Sequence, residues 1–183
     1  MERKEVSSLL IRYCVLILLG FEINIIYKVF TPLTVYPVYW ILHRFYPAFF
    51  IEGKTIFIKG IFFDFIPACI AGSAYYLLWV LNLATPMNVS IRLKNLLFLT
   101  LSFLIINIAR MVTMVVILFY SYAYFSFTHA LLWYIGSTVM VVLLWFIGIR
   151  KFKINKIPFY DDARNIAKDI KTKKRYNLNE NFK

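Results

Sequence analysis

The sequence predicts an all-α polytopic membrane protein of about four transmembrane helices, with a short extracellular β-hairpin before the second span. Three observations predict it. Of 183 residues, 61% are hydrophobic and mean hydropathy is +0.70, which leaves too little polar surface to cover a soluble globule of this size. Apolar runs of about 20 residues recur, the length that crosses a roughly 30 Å hydrocarbon core at about 1.5 Å per residue. The basic residues behind a formal net charge of +12 crowd at the two chain ends and in one short loop, each beside an apolar run. Membrane topology explains that placement more simply than nucleic acid does, so no nucleic-acid partner is expected.

The first predicted span covers residues 9–27, "LLIRYCVLILLGFEINIIY". Its length and the lack of an A-x-A-like site mark it as an anchor rather than a cleaved signal peptide. Arg12 lies near its start and can snorkel to the interface, whereas Glu22 lies too deep to do so. Glu22 is therefore expected to be neutral, to face water, or to pair with Arg110 or Lys28. The second span, 69–86, ends at Pro86. The third, 95–117, belongs to "IRLKNLLFLTLSFLIINIARMVTMVVILFY", a run long enough to project beyond the bilayer. The fourth covers 129–149.

Arg3 and Lys4, Arg92 and Lys94, and "RKFKINK" after the fourth span must share one side. Four spans satisfy that parity with both termini cytoplasmic. Residues 31–66 then lie outside. The proline-broken "TPLTVYPVYWILHRFYPAFF" reads as interfacial or re-entrant, with His43 and Arg44 as interface anchors. "FFIEGKTIFIKGIFFDF" reads as a hairpin turning at Glu52-Gly53-Lys54. Asp64 reads as a solvated loop residue. Residues 1–149 form the membrane domain; 150–183, with eleven Lys/Arg against four Asp/Glu, form a basic cytoplasmic tail suited to anionic lipid.

The chain has two cysteines, Cys14 and Cys69, too few for a disulfide framework, and both are read as free thiols. Cys69 opens the second span at its outer end. Arg110 lies fifteen residues beyond Asn95, about 22 Å up the third helix and near the outer boundary. His129 opens the fourth span, again at the outer end. A thiol, a guanidinium and an imidazole are thus expected at one depth on three helices.

Those three types suit cysteine acyl transfer. A helix N-terminus would favour the Cys69 thiolate; His129 would take a proton and return it to a leaving amine; Arg110 would hold an oxyanion or a substrate carbonyl. Gly72, Ser73 and Ala74 would let another helix approach closely. No cofactor or metal is implied. Singly, each residue has a structural reading. Cys69 can pack, as Cys14 is taken to do, and His129 can sit at an interface; Arg110, set in an apolar run, is harder to explain that way.

"ACIAGSAYYLLWVLNLATPM", "NIARM" and "FTHALLWYIG" resemble, in order and spacing, the three motif blocks of the exosortase/archaeosortase membrane transpeptidases, over about residues 56–148. The resemblance implies that Cys69, Arg110 and His129 form an active site. It further implies an enzyme that cuts C-terminal sorting signals, each a short motif, a transmembrane helix and a basic cluster, and passes the new carboxyl end to an acceptor such as a membrane lipid. "CIAGSAYY" looks more like the archaeosortase form than the bacterial C-x-G form, and the chain lacks the extra N-terminal spans of larger members. Two other classes use the same residues: a four-helix membrane scaffold or transporter accessory protein in which Cys69 merely packs, and a Cys-His membrane peptidase that releases its product to water. Oligomeric state, client motif and acceptor are left open.

Overall fold

The computed structural model describes residues 3–51 and 53–154, so the basic tail predicted from 150 onward falls outside the described residues after Ile154. The chain opens with α1 (Arg3–Phe21) and α2 (Ile23–Phe45), separated only by Glu22. The φ of −104° and ψ of 36° at Glu22 bend the helix without breaking its path, with the Glu22 N–H donating to the Leu18 carbonyl. Three strands follow, β1 (Ala48–Ile51), β2 (Thr55–Ile58) and β3 (Ile61–Asp64), then the one-turn α3 (Pro67–Ile70) and α4 (Gly72–Ala84). The long α5 (Val89–Tyr120) turns at Ser121 into α6 (Tyr122–Leu131), which passes through a π-helical turn (Leu132–Gly136) into α7 (Ser137–Lys151).

Two of these helices, Ile23–Phe45 and Val89–Tyr120, are long and apolar enough to cross a membrane. At 32 residues, α5 is about 48 Å long and exceeds a roughly 30 Å hydrocarbon core, as its sequence predicts. The segment read as interfacial or re-entrant is different: 31–45 stay helical despite Pro32 and Pro37. Each proline removes an amide donor. The Thr31 hydroxyl donates to the Tyr27 carbonyl at 2.6 Å, and burial of Val35, Val38 and Leu42 holds the helix in place. Tertiary packing here overrides a local breaker.

The predicted hairpin is a three-stranded antiparallel sheet in the order β1-β2-β3. Its first turn is the predicted one, with Gly53 at φ 75°. Lys59 and Gly60, at φ 49° and 80°, form a second two-residue turn of the kind that matches strand twist. Asp64 is therefore the end of a strand, accepting a hydrogen bond from the Thr55 hydroxyl at 3.1 Å. Ala48, Ile56 and Ile58 turn inward to the helices.

The core runs along α4 and α5, which are antiparallel. At one end Asn95 Nδ2 donates to Asn82 Oδ1 at 2.9 Å, and Asn82 Nδ2 donates to the Arg92 carbonyl at 3.1 Å. Gly148 of α7 lies so close to Asn95 Oδ1 that an added Cβ would meet it at 2.6 Å. Midway, Phe30 stacks on Tyr75 and Tyr75 packs edge-on to Phe103, all three buried. Further along, Tyr46 meets Phe119, so α2 follows α5 to its far end. The site lies between these levels.

Candidate active site

Cys69, Arg110 and His129 line one cavity of about 290 Å³, together with Tyr27, Ser73 and Ser137. The three residues are brought to one cavity, Arg110 on the long helix expected for it, Cys69 and His129 by different local routes than the sequence suggests.

Cys69 does not open a long helix. It sits in the single turn of α3, started by Pro67 at a position where the missing N–H costs nothing. The turn ends at Ala71, whose φ of 57° and ψ of 41° are left-handed, and α4 then starts afresh at Gly72. The Cys69 N–H is already bonded to the Ile66 carbonyl at 2.9 Å. The expected help from a long helix N-terminus is thus missing. Among the described residues, Arg110, Lys54 and Asp64 are the charged groups near enough to act on the thiol. Cys69 is buried, while Cys14, read as packing inside a span, is exposed on the isolated chain.

Ala71's conformation breaks the hydrogen-bond ladder between α3 and α4, and α5 repairs it. Asn107, fully buried, donates through Nδ2 to the carbonyls of Cys69 at 3.0 Å and Ile70 at 3.4 Å. Asn107 is assigned no role by the sequence alone. Its signal was its place three residues before Arg110 in an apolar helix, on the same face. One turn on, Arg110 Nη2 donates to the Ala68 carbonyl at 3.3 Å and Nη1 to Ser137 Oγ at 3.0 Å. Arg110 Nε is buried without a hydrogen-bond partner. The guanidinium therefore ties the turn that carries Cys69 to α7 and keeps donors in reserve. Glu22 stands exposed at the α1–α2 bend, and Arg110 engages Ala68 and Ser137 instead.

His129 does not start the fourth helix, since α6 begins seven residues earlier at Tyr122. The turn at Ser121 folds α6 back along α5 and brings His129 down to the cavity. Phe125 stacks on the imidazole at 5.5 Å between ring centroids, 18° from parallel, and fixes one ring face. The π-helical turn then re-aims α7. Ser137 Oγ donates to the Leu132 carbonyl at 3.3 Å while accepting from Arg110. π-turns of this kind frequently occur at functional sites. Gly72 supplies the last element of shape, with the Tyr27 ring 2.6 Å from where a Cβ would stand. His43, by contrast, bonds through Nδ1 to the Ala48 carbonyl at 2.9 Å and stacks on Tyr39, a structural use.

The arrangement offers a nucleophile, a proton carrier and a fixed cation around one small space. Among the described residues no group of three or more His, Cys, Asp or Glu could hold a metal ion. No family model, curated protein or solved structure matches the chain, so the likeness of its three motifs to membrane transpeptidases rests on the residues themselves.

Proposed function

We propose that this chain is a membrane-embedded cysteine transpeptidase, with Cys69 as nucleophile, His129 as proton carrier and Arg110 as electrostatic clamp. The observation that carries the reading is the shared cavity of these three residues, drawn from three separate segments. The Cys69 thiolate, formed by proton transfer to His129, attacks the scissile carbonyl of a client's C-terminal sorting signal. Uncommitted Arg110 N–H groups face the developing oxyanion. The C–N bond then breaks, the leaving amine takes the proton from His129, and a thioester remains on Cys69. An acceptor nucleophile, expected to be a membrane lipid, attacks the thioester, gives its proton to His129 and frees the thiolate. Water in the acceptor's place would make the same site a peptidase.

The topology in this reading has four spans, both termini cytoplasmic and the cavity opening toward the external side. The grouping of Arg92, Lys94, Arg150 and Lys151 at one end of the helices supports it. A second reading is favoured by one observation. Because Arg110 is bonded to Ala68 and Ser137, it also suits a scaffold in which the cation joins helices and Cys69 packs.

The deciding experiment follows a secreted client that ends in a short motif, an apolar helix and basic residues, co-expressed with the wild type or with Cys69→Ala. Client cleavage and a trappable thioester at Cys69 are expected in the wild type alone. Unchanged client processing in Cys69→Ala membranes sinks the enzyme reading and leaves the scaffold.

A further inference from the structure

A second, more open groove of about 400 Å³ lies on the other side of Pro67 and shares Tyr27 and Pro67 with the Cys69 cavity. Its lining includes Lys28 and Thr31 from α2, Lys54 from the β1–β2 turn, and Phe65. Two lysines from segments far apart in sequence thus converge on one concavity whose lining, among the described residues, contains no carboxylate. Pro32, also in the lining, takes away the amide that would otherwise bond the Lys28 carbonyl. Beside the groove, Ile25, Val29 and Leu33 expose apolar side chains along α2.

The depth of the groove follows from the sheet. β1 and β3 are edge strands, and open sheet edges are not tolerated in hydrocarbon. Lys54 closes the turn of that sheet, with its carbonyl accepting from the Phe65 N–H at 3.0 Å. It therefore stands outside the hydrocarbon, at headgroup level, and the Lys28 side chain reaches up to the same place. A cationic mouth beside an apolar helix face is the complement of an anionic amphiphile.

We infer that this groove binds a phosphate group through Lys28 and Lys54, and that the phosphate belongs to an anionic phospholipid headgroup. The inference does not depend on chemistry at Cys69. The test uses the full chain in detergent and measures binding of soluble short-chain phosphatidylglycerol through ligand-induced thermal stabilisation. Phosphatidylcholine of the same chain length, inorganic phosphate and a short glutamate-containing peptide serve as comparison probes.

The double variant Lys28→Gln/Lys54→Gln is expected to bind phosphatidylglycerol about tenfold or more weakly, as the loss of two charge-assisted contacts implies. Both side chains are exposed, so folding is spared, and Lys28→Arg/Lys54→Arg should retain binding. Lys59→Gln, whose amine already sits over the Tyr46 and Phe119 rings, and Lys94→Gln at the opposite end should match the wild type. Cys69→Ala should also bind normally, which separates this result from the catalytic one. Inorganic phosphate competing as strongly as the lipid would support the site with free phosphate as its source. Equal binding by the double Gln variant overturns the inference. So does equal weakening by Lys59→Gln or Lys94→Gln, or lysine-dependent binding of the glutamate peptide without binding of either phosphate probe.

Discussion

In the proposed reading Arg110 has both a structural and an electrostatic task, and its substitutions should separate the two. Lysine keeps the charge but loses the planar fork, so Nζ cannot hold both Ala68 and Ser137 in place of Nη2 and Nη1. Arg110→Lys is expected to insert normally yet lose about 10²-fold or more in client processing, the scale of losing an oxyanion donor. Thioester accumulation on Cys69 measures it, and normal turnover would reduce Arg110 to a point charge. On the same reading Asn107, bonded to the Cys69 carbonyl, would be a positioning residue. Asn107→Ala leaves the Cys69 and Ile70 carbonyls without their buried donor, with an expected cost of about 1–3 kcal/mol. The rate of Cys69 alkylation, measured below the unfolding transition, should change as well; stability loss alone would make Asn107 purely structural.

The candidate site is shaped by two departures from regular helix. At Ala71 the left-handed backbone costs a residue with a Cβ about 1–2 kcal/mol, and glycine would relieve that at some entropic cost. Ala71→Gly should therefore be neutral to about 1 kcal/mol more stable, and Ala71→Val clearly less stable, because a β-branched residue is a steric outlier there. Thermal unfolding in detergent tests the order; equal stability of the Gly and Val variants would mean that the break is not set by Ala71. The π-helical turn is the second departure. Deleting Ile135, an exposed residue within it, should restore α-helical winding and rotate α7 by about 100° relative to α6. Ser137 would then leave Arg110, and client processing should fall to the level of Cys69→Ala while membrane insertion persists. Retained processing would show that the register of α7 does not matter to the site.

For the whole molecule, the order of sides is the decisive prediction. A reporter inserted at Gly53, which sits in an exposed turn with nothing within 4 Å of a built Cβ, should report from outside the cell. A reporter fused after Lys183 should report from the cytoplasm. A cytoplasmic report from Gly53 would place the cavity on the wrong face for secreted clients. The helices themselves are held together by packing at small residues as much as by apolar side chains. Gly148→Ala drives a Cβ into Asn95 Oδ1, which Asn82 holds in place, and overpacking there should cost about 1–3 kcal/mol in detergent unfolding.

The sequence by itself determined what is written in composition and period: a largely helical chain, apolar runs of membrane-spanning length, a turn at Gly53, and three chemically distinct residues at compatible positions along their helices. Helical rise turns a sequence interval directly into a height, which placed Arg110, whereas Cys69 and His129 were read as helix starts and sit elsewhere in their helices. Only the tertiary structure decided what local rules could not weigh. Pro32 and Pro37 argue against a helix locally, yet burial against α4 and α5 outweighs them and carries α2 to Phe45. Lys59-Gly60 is a weak turn signal until a third strand pairs across it. Ala71 carries no propensity for the left-handed region, and its conformation exists because Asn107, thirty-six positions away, satisfies the carbonyls that the break exposes. Such long-range compensation has no sequence period. It explains why the three candidate site residues were legible in the chain, whereas Asn107, Ser137 and the lysine groove became visible only once the helices were packed.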